Sequence, residues 1–324
     1  MTVPAERTTV AAERRTPRAD CVAGPDGTIT FEVDVPAAGS GPDGPDGPDG
    51  PDGPDGHDGP GPDGPGSGHD GSGPGRGDGE ALELLLRLRG GRGDGATLRL
   101  PLDPAGKGRF RAVLPSTVES AEGRWDVHVR RPGTGKDAET AVEPGIRDLR
   151  LLIDRVPEDG RVVVRIPYPT VDGRLALRCW IRSPHAEAGP VTFDGSGMTV
   201  EGTLYGVRLG DGAHVEARRA DAPDRVCRVP VTGRQGAFAF TLPLGRLTDG
   251  PVGDERLWTL WLVPGAVAGE QAGAVRISRL LDDVWDRKNV FVYPGRDIGG
   301  GARATCCYTG DNGLCVRVGP GPGA

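Results

Sequence analysis

Short runs in which every second residue is apolar recur through most of the chain. In 28–35, TITFEVDV, Ile29, Phe31, Val33 and Val35 alternate with Thr30, Glu32 and Asp34, the period of a half-buried strand. The same pattern sets Leu82, Leu84, Leu86 and Leu88 in one row, then Phe110, Ala112 and Leu114. Trp125, Val127 and Val129 follow, with Asp126, His128 and Arg130 turned to solvent. In 174–182, Leu175, Leu177, Cys179 and Ile181 alternate with Ala176, Arg178, Trp180 and Arg182. Further strands are predicted around 161–166, 200–209, 215–218, 226–231, 289–293 and 304–318, and a short helical turn over 277–285. Gly310-Asp311-Asn312-Gly313 interrupts the last strand as a hairpin turn.

One stretch organises the rest: 236–264, GAFAFTLPLGRLTDGPVGDERLWTLWLVP, with a fainter echo at 108–132, GRFRAVLPSTVESAEGRWDVHVRRP. In each, Gly-x-Phe opens an alternating run that closes on Leu-Pro; a polar loop follows, then a Trp-led run that stops at Pro. Phe110 answers to Phe238, Pro115 to Pro243, Trp125 to Trp258 and Pro132 to Pro264. The two phenylalanines stand 128 residues apart, a spacing that suits one antiparallel β domain. The expectation is an all-β chain of two tandem immunoglobulin-like β-sandwich domains, 21–156 and 161–318. A disordered lead of 1–20 precedes them, a tail of 319–324 follows, and Pro157-Glu158-Asp159-Gly160 marks the boundary by its turn chemistry.

Composition changes this picture in one place. Of 324 residues, 55 are Gly and 31 Pro, and much of that excess sits in a tract where Gly-Pro-Asp repeats from 41 to 56. Such an acidic, polyproline-like run is expected to be a disordered loop, 37–80, inserted between two strands of the first sandwich. Loop closure costs rise only logarithmically with length, so the fold tolerates it. The formal charge of −7 argues against nucleic acid as a partner. Lysine occurs only at 107, 136 and 288, and the Arg, Ala, Gly and Pro bias is that of a GC-rich bacterial genome. The first 20 residues contain no apolar h-region, and no run reaches the roughly 20 apolar residues of a membrane span. A cytoplasmic location is expected, with membrane association through a partner as the variant. The six cysteines are then expected as thiols.

Candidate chemistry is sparse. Cys306, Cys307 and Cys315 are the densest ligand-like group, but no His lies near them and adjacent strand residues point to opposite faces. Cys315 follows the hairpin turn and can meet one of the other two across it. The histidines fall in the tract, on a polar face or in loops. A Ser183, His185 and Asp194 triad has no nucleophile elbow to support it. No catalytic residue, metal or cofactor is expected. Aromatic residues offer a binding surface instead. Trp180 falls on the polar face of its strand between Arg178 and Arg182, and Trp261 falls on the face opposite Trp258. Tryptophan beside arginine suits a sugar ring together with a phosphate or carboxylate. The plainer alternative is that loops or a domain contact cover these rings, whereas Trp125 and Trp258 are core anchors.

Two C-terminal pieces, DRKNVFVYP at 286–294 and YTGDNGLCVRV at 308–318, together with the paired Gly-x-Phe…Leu-Pro and Trp…Pro blocks, carry a family likeness. The chain resembles the β-sandwich accessory modules of actinobacterial glycosyltransferases and teichoic-acid-type CDP-glycerol glycerophosphotransferases. In that family the transfer chemistry lies in a separate nucleotide-sugar or CDP-glycerol domain, to which nothing here corresponds. The resemblance implies a non-catalytic module that binds a glycosyltransferase or glycerophosphotransferase partner, or a glycan. The alternatives are a transferase with an unrecognised site and a purely structural scaffold.

Overall fold

A computed structural model describes residues 16–36, 81–131, 139–153, 155–157, 160–195, 197–248, 253–266, 273–291 and 293–321. Most of the expected lead, the Gly-Pro-Asp tract and the last three residues lie outside this set. The described chain is all-β, with only short 3-10 turns between strands.

The first eleven strands are β1 (Arg18–Ala23), β2 (Ile29–Asp34), β3 (Glu83–Leu88), β4 (Thr97–Pro101), β5 (Asp103–Gly106) and β6 (Arg109–Leu114), then β7 (Gly123–Arg130), β8 (Glu139–Ala141), β9 (Glu143–Asp148), β10 (Val162–Pro169) and β11 (Leu175–Arg182). They form two sheets, ordered β5-β6-β2-β1-β9 and β10-β11-β7-β3-β4. Ile29, Phe31 and Val33 of one sheet and Leu84, Leu86, Trp125 and Val127 of the other fill one buried core, as their alternation requires.

The second eleven are β12 (His185–Asp194), β13 (Gly197–Tyr205), β14 (His214–Arg219), β15 (Val226–Pro230), β16 (Thr232–Arg234) and β17 (Ala237–Pro243), then β18 (Arg256–Val263), β19 (Val275–Ser278), β20 (Arg296–Gly299), β21 (Ala302–Tyr308) and β22 (Leu314–Pro320). The order β16-β17-β13-β12-β19 repeats that of the first sheet, and β21-β22-β18-β14-β15 that of the second; a β18–β19 pairing joins them. Phe110 and Phe238 hold the same place, on β6 and β17, and Trp125 and Trp258 hold the same place on β7 and β18. Val33 of β2 and Gly202 of β13, each opposite one of those phenylalanines, are 169 residues apart. Leu84 of β3 and Val215 of β14 are only 131 apart. The 38-residue difference falls between β2 and β3, where the first half carries its tract.

Three expectations change. β10 and β11, assigned to the second domain, hydrogen-bond to β7 in the first sheet system, with Leu177 opposite Trp125. The change from one core to the other therefore comes after Arg182, at a cis Ser183-Pro184 peptide. The turn chemistry of 157–160 carries no information about which sheet the next strand joins. Arg18 to Asp20, placed in the lead, belong to β1, which is held between β2 and a parallel β9. Residues 277–285 are the end of β19 and an irregular segment, and 288–290 are a turn. Side-chain hydrogen bonds take over from a backbone ladder there. Among the described residues no helix is long and apolar enough to cross a membrane.

The segment 279–291 joins the two halves. Leu280 is fully buried in the first core, Leu281 and Trp285 pack on it, and Trp285 stacks on Tyr168 of β10 at 5.8 Å. Phe291 packs on the second core and meets Tyr308 edge-on. Arg287, fully buried, pairs with Asp282 and donates from Nε to the Arg279 carbonyl. Asn312, at φ 55°, accepts from the Arg287 amide at 2.9 Å and donates to the Val284 carbonyl at 2.8 Å. The two sequence pieces that carry the family likeness thus meet in one buried polar knot, and their role there is structural.

Candidate binding cleft between the two halves

A cavity of about 550 Å³ opens where the end of β11, the Ser183-Pro184 link, β18, β19 and the β21–β22 turn converge. Its floor is the half-buried indole of Trp261. Alternation along β18 puts Trp258, Leu260 and Leu262 in the core and turns Trp261 outward. Its Nε1 donates to Thr259 Oγ1 at 3.0 Å, and that hydroxyl donates to the Arg218 carbonyl at 3.1 Å.

Two guanidinium groups flank the ring. Arg218 of β14 lies 4.9 Å from its centroid and Arg276 of β19 lies 5.4 Å away, both within cation–π range. Arg276 is the direct cross-strand neighbour of Trp261. Its Nε is buried without a hydrogen-bond partner among the described residues, and desolvation pushes its pKa down. Gly313 gives it room, since a Cβ there would come within 2.7 Å of the guanidinium. Arg182 enters the cleft from the first half while paired to Glu122 at 2.7 Å.

Of the four residues proposed from sequence, Arg182 and Trp261 come together in this cleft. Trp180 and Arg178 do not. Trp180 is 0% exposed, on the face of β11 that it shares with Val162, Val164 and Ile166 of β10 and with the Trp285-stacked Tyr168. That face alternates away from Trp125, as expected, but the segment containing Leu280 and Trp285 covers it, so it is no solvent face. Arg178, 6% exposed, lies 4.7 Å over the Trp180 ring and pairs with Asp311 at 2.6 Å. It pins the β21–β22 turn to the first half. Sequence reasoning missed Arg218 and Arg276, because both reach Trp261 through strand register and not through spacing along the chain.

His185, at the head of β12, is also buried. Its Nε2 lies 2.7 Å from Glu187 Oε2, and Glu187 accepts from the Leu280 and Leu281 amides at 2.9 to 3.0 Å. The pair holds the bridging segment. Cys307 and Cys315 face each other across the hairpin at 3.1 Å, while Cys306 turns into the second core; all six cysteines are free.

No family model matches the chain, and no curated protein does. Solved structures similar to it include S. aureus TarS, with 12% identity over 69% of this chain and 35% of that one, at a TM-score of 0.28. A TarS fragment, 217–571, has 12% identity over 70% of this chain and 55% of that one, at 0.27. The chain thus spans about a third of the first and about half of the second.

Proposed function

We propose that the chain is a non-catalytic binding module that serves glycosyl- or glycerophosphotransferases of cell-surface glycopolymers, holding a glycan in the cleft between its halves. The observation that carries this reading is Trp261 beside Arg276 and Arg182 in the lining of this cavity, with Arg218 stacked near the ring. An indole offers an apolar body to the C–H face of a sugar. Guanidinium groups donate to hydroxyls and bind phosphate or carboxylate oxygens in bidentate fashion. Thr259, Thr309 and Ser183 add neutral hydroxyls around them, a mixture suited to a polyhydroxylated ligand that carries negative charge. The resemblance of 286–294 and 308–318 to modules attached to such enzymes supports the association with transferases.

The test is calorimetric titration with wall-glycopolymer fragments purified from an actinobacterium. Wild-type protein is expected to bind saturably, and Trp261→Ala to bind at least tenfold more weakly, about 1.4 kcal/mol, with its melting temperature nearly unchanged. Equal binding by the two proteins removes the reading.

A further inference from the structure

One pair of reactive side chains has no part in the glycan reading. Cys307 of β21 and Cys315 of β22 are direct partners across the antiparallel ladder, with their sulfurs 3.1 Å apart. Residues so placed have Cα atoms about 4.5–5.5 Å apart, inside the span of about 4.4–6.8 Å that a disulfide bridges. Both are free thiols. No other two of the six cysteines are so placed. Cys21 faces Phe31 across its ladder, Cys179 faces Arg165, Cys227 faces Ala217 and Cys306 faces Val316.

The two sulfurs differ in chemistry. The Cys315 thiol donates to Cys307 and, with the charge of Arg317, holds Cys307 below the ordinary cysteine value against the effect of burial. Sharing its proton in this way, together with burial, pushes Cys315 up. Cys307 is also the more open of the two, 8% exposed against 1%. A thiolate is the form that attacks an oxidant, so Cys307 reacts first and Cys315 is held ready beside it. Burial raises the other four thiols, Cys21 to about 12 and Cys179 to about 11. Cys306 turns into the second core, whereas Cys315 stands on the outer face opposite Thr259.

We propose that Cys307 and Cys315 form a redox-active dithiol, which hydrogen peroxide converts to an intrachain disulfide and a small dithiol reduces again. Cys307, having given its proton to water, attacks one peroxide oxygen. The O–O bond breaks, hydroxide leaves and takes up a proton as water, and the sulfur keeps the other OH as a sulfenic acid. The Cys315 sulfur then attacks the Cys307 sulfur. The S–S bond forms, the S–O bond breaks, and the departing hydroxide takes the Cys315 proton as a second water. Two thiols are oxidised and one peroxide is reduced. The bond ties the hairpin whose turn carries Asp311 to Arg178, Asn312 to the bridging segment and Gly313 to Arg276.

The experiment exposes the full, folded, reduced chain to hydrogen peroxide, then blocks remaining thiols, digests with trypsin and weighs the peptides. Two of the six thiols should be lost, both from peptide 304–317, which becomes lighter by two hydrogens and regains them with dithiothreitol. That peptide also holds Cys306, so two variants assign the bond. Cys306→Ala should form it as wild type does. Cys315→Ser should not, and should leave on Cys307 a sulfenic acid that dimedone captures. Persistence of all three thiols of wild-type 304–317 under peroxide overturns the proposal, as does loss of the bond in folded Cys306→Ala or its retention in Cys315→Ser. Thiols lost first from Cys21, Cys179 or Cys227 overturn it too. The wild-type peptide tests the reaction even where a variant does not fold.

Discussion

Trp180 and Trp258 occupy different strands, cores and sequence contexts, yet both are enclosed: 0% and 6% exposed. Truncation of either to alanine should cost about 3–5 kcal/mol, as deletion of a large core side chain does, whereas Trp261→Ala should cost about 1 kcal/mol or less. Urea denaturation of the three variants checks this, and a Trp180→Ala protein as stable as wild type would show that its face is open. From sequence, Trp180 reads as the cheap substitution, because its neighbours on the strand face are Arg178 and Arg182. Alternation does report correctly that Trp180 and Trp125 point opposite ways. It cannot report that residues a hundred positions later lie over the outer face. Trp261 turns away from Trp258, as alternation along β18 requires, and its indole is half-buried.

At the scale of elements, β14, β15 and β18 share an outer face built around Glu216. This carboxylate is 6% exposed and stands directly opposite Trp261. It accepts from Arg228 Nε at 2.9 Å and Arg218 Nε at 2.8 Å, and lies 3.3 Å from His214 Nε2. Desolvation acts to raise its pKa, but the hydrogen bonds from Arg228, Arg218 and His214 outweigh it and bring the group to about 2 from 4.5. A carboxyl with a folded pKa below its unfolded one adds stability that is complete above the unfolded value and fades as pH falls through the folded one. The wild type should therefore lose melting temperature between about pH 4.5 and 2 in excess of Glu216→Gln. Identical pH profiles for the two proteins would mean that the cluster contributes nothing. The hairpin of β21 and β22 was largely legible. Gly310 to Gly313 turns it, and Cys306 and Cys307 point to opposite faces, both from period and turn chemistry, whereas the register alone decides that Cys307 is the one that meets Cys315. Arg276 was not legible, because its cross-strand partner depends on how β19 docks on β18.

For the whole molecule, the segment 279–291 decides how the halves behave together. Leu280 is buried in the first core although it lies far along the second half of the chain, and Arg287 and Asn312 lock its far side. Leu280→Ala should cost about 2–5 kcal/mol and uncouple the halves, splitting a single calorimetric unfolding peak into two. One undivided peak, shifted down by less than that amount implies, would show that the bridge does not carry the coupling. By itself the sequence determined the all-β class, the alternation of the strands, and the correspondence of Phe110 with Phe238 and Trp125 with Trp258, because these depend on period and turns, which are local. Tertiary structure alone decided that β10 and β11 belong with β7, that Trp180 is enclosed, and that Arg218 and Arg276 gather at Trp261. Strand pairing brings together residues whose separation along the chain carries no record of their contact, and burial follows from what docks on a face as much as from the face itself.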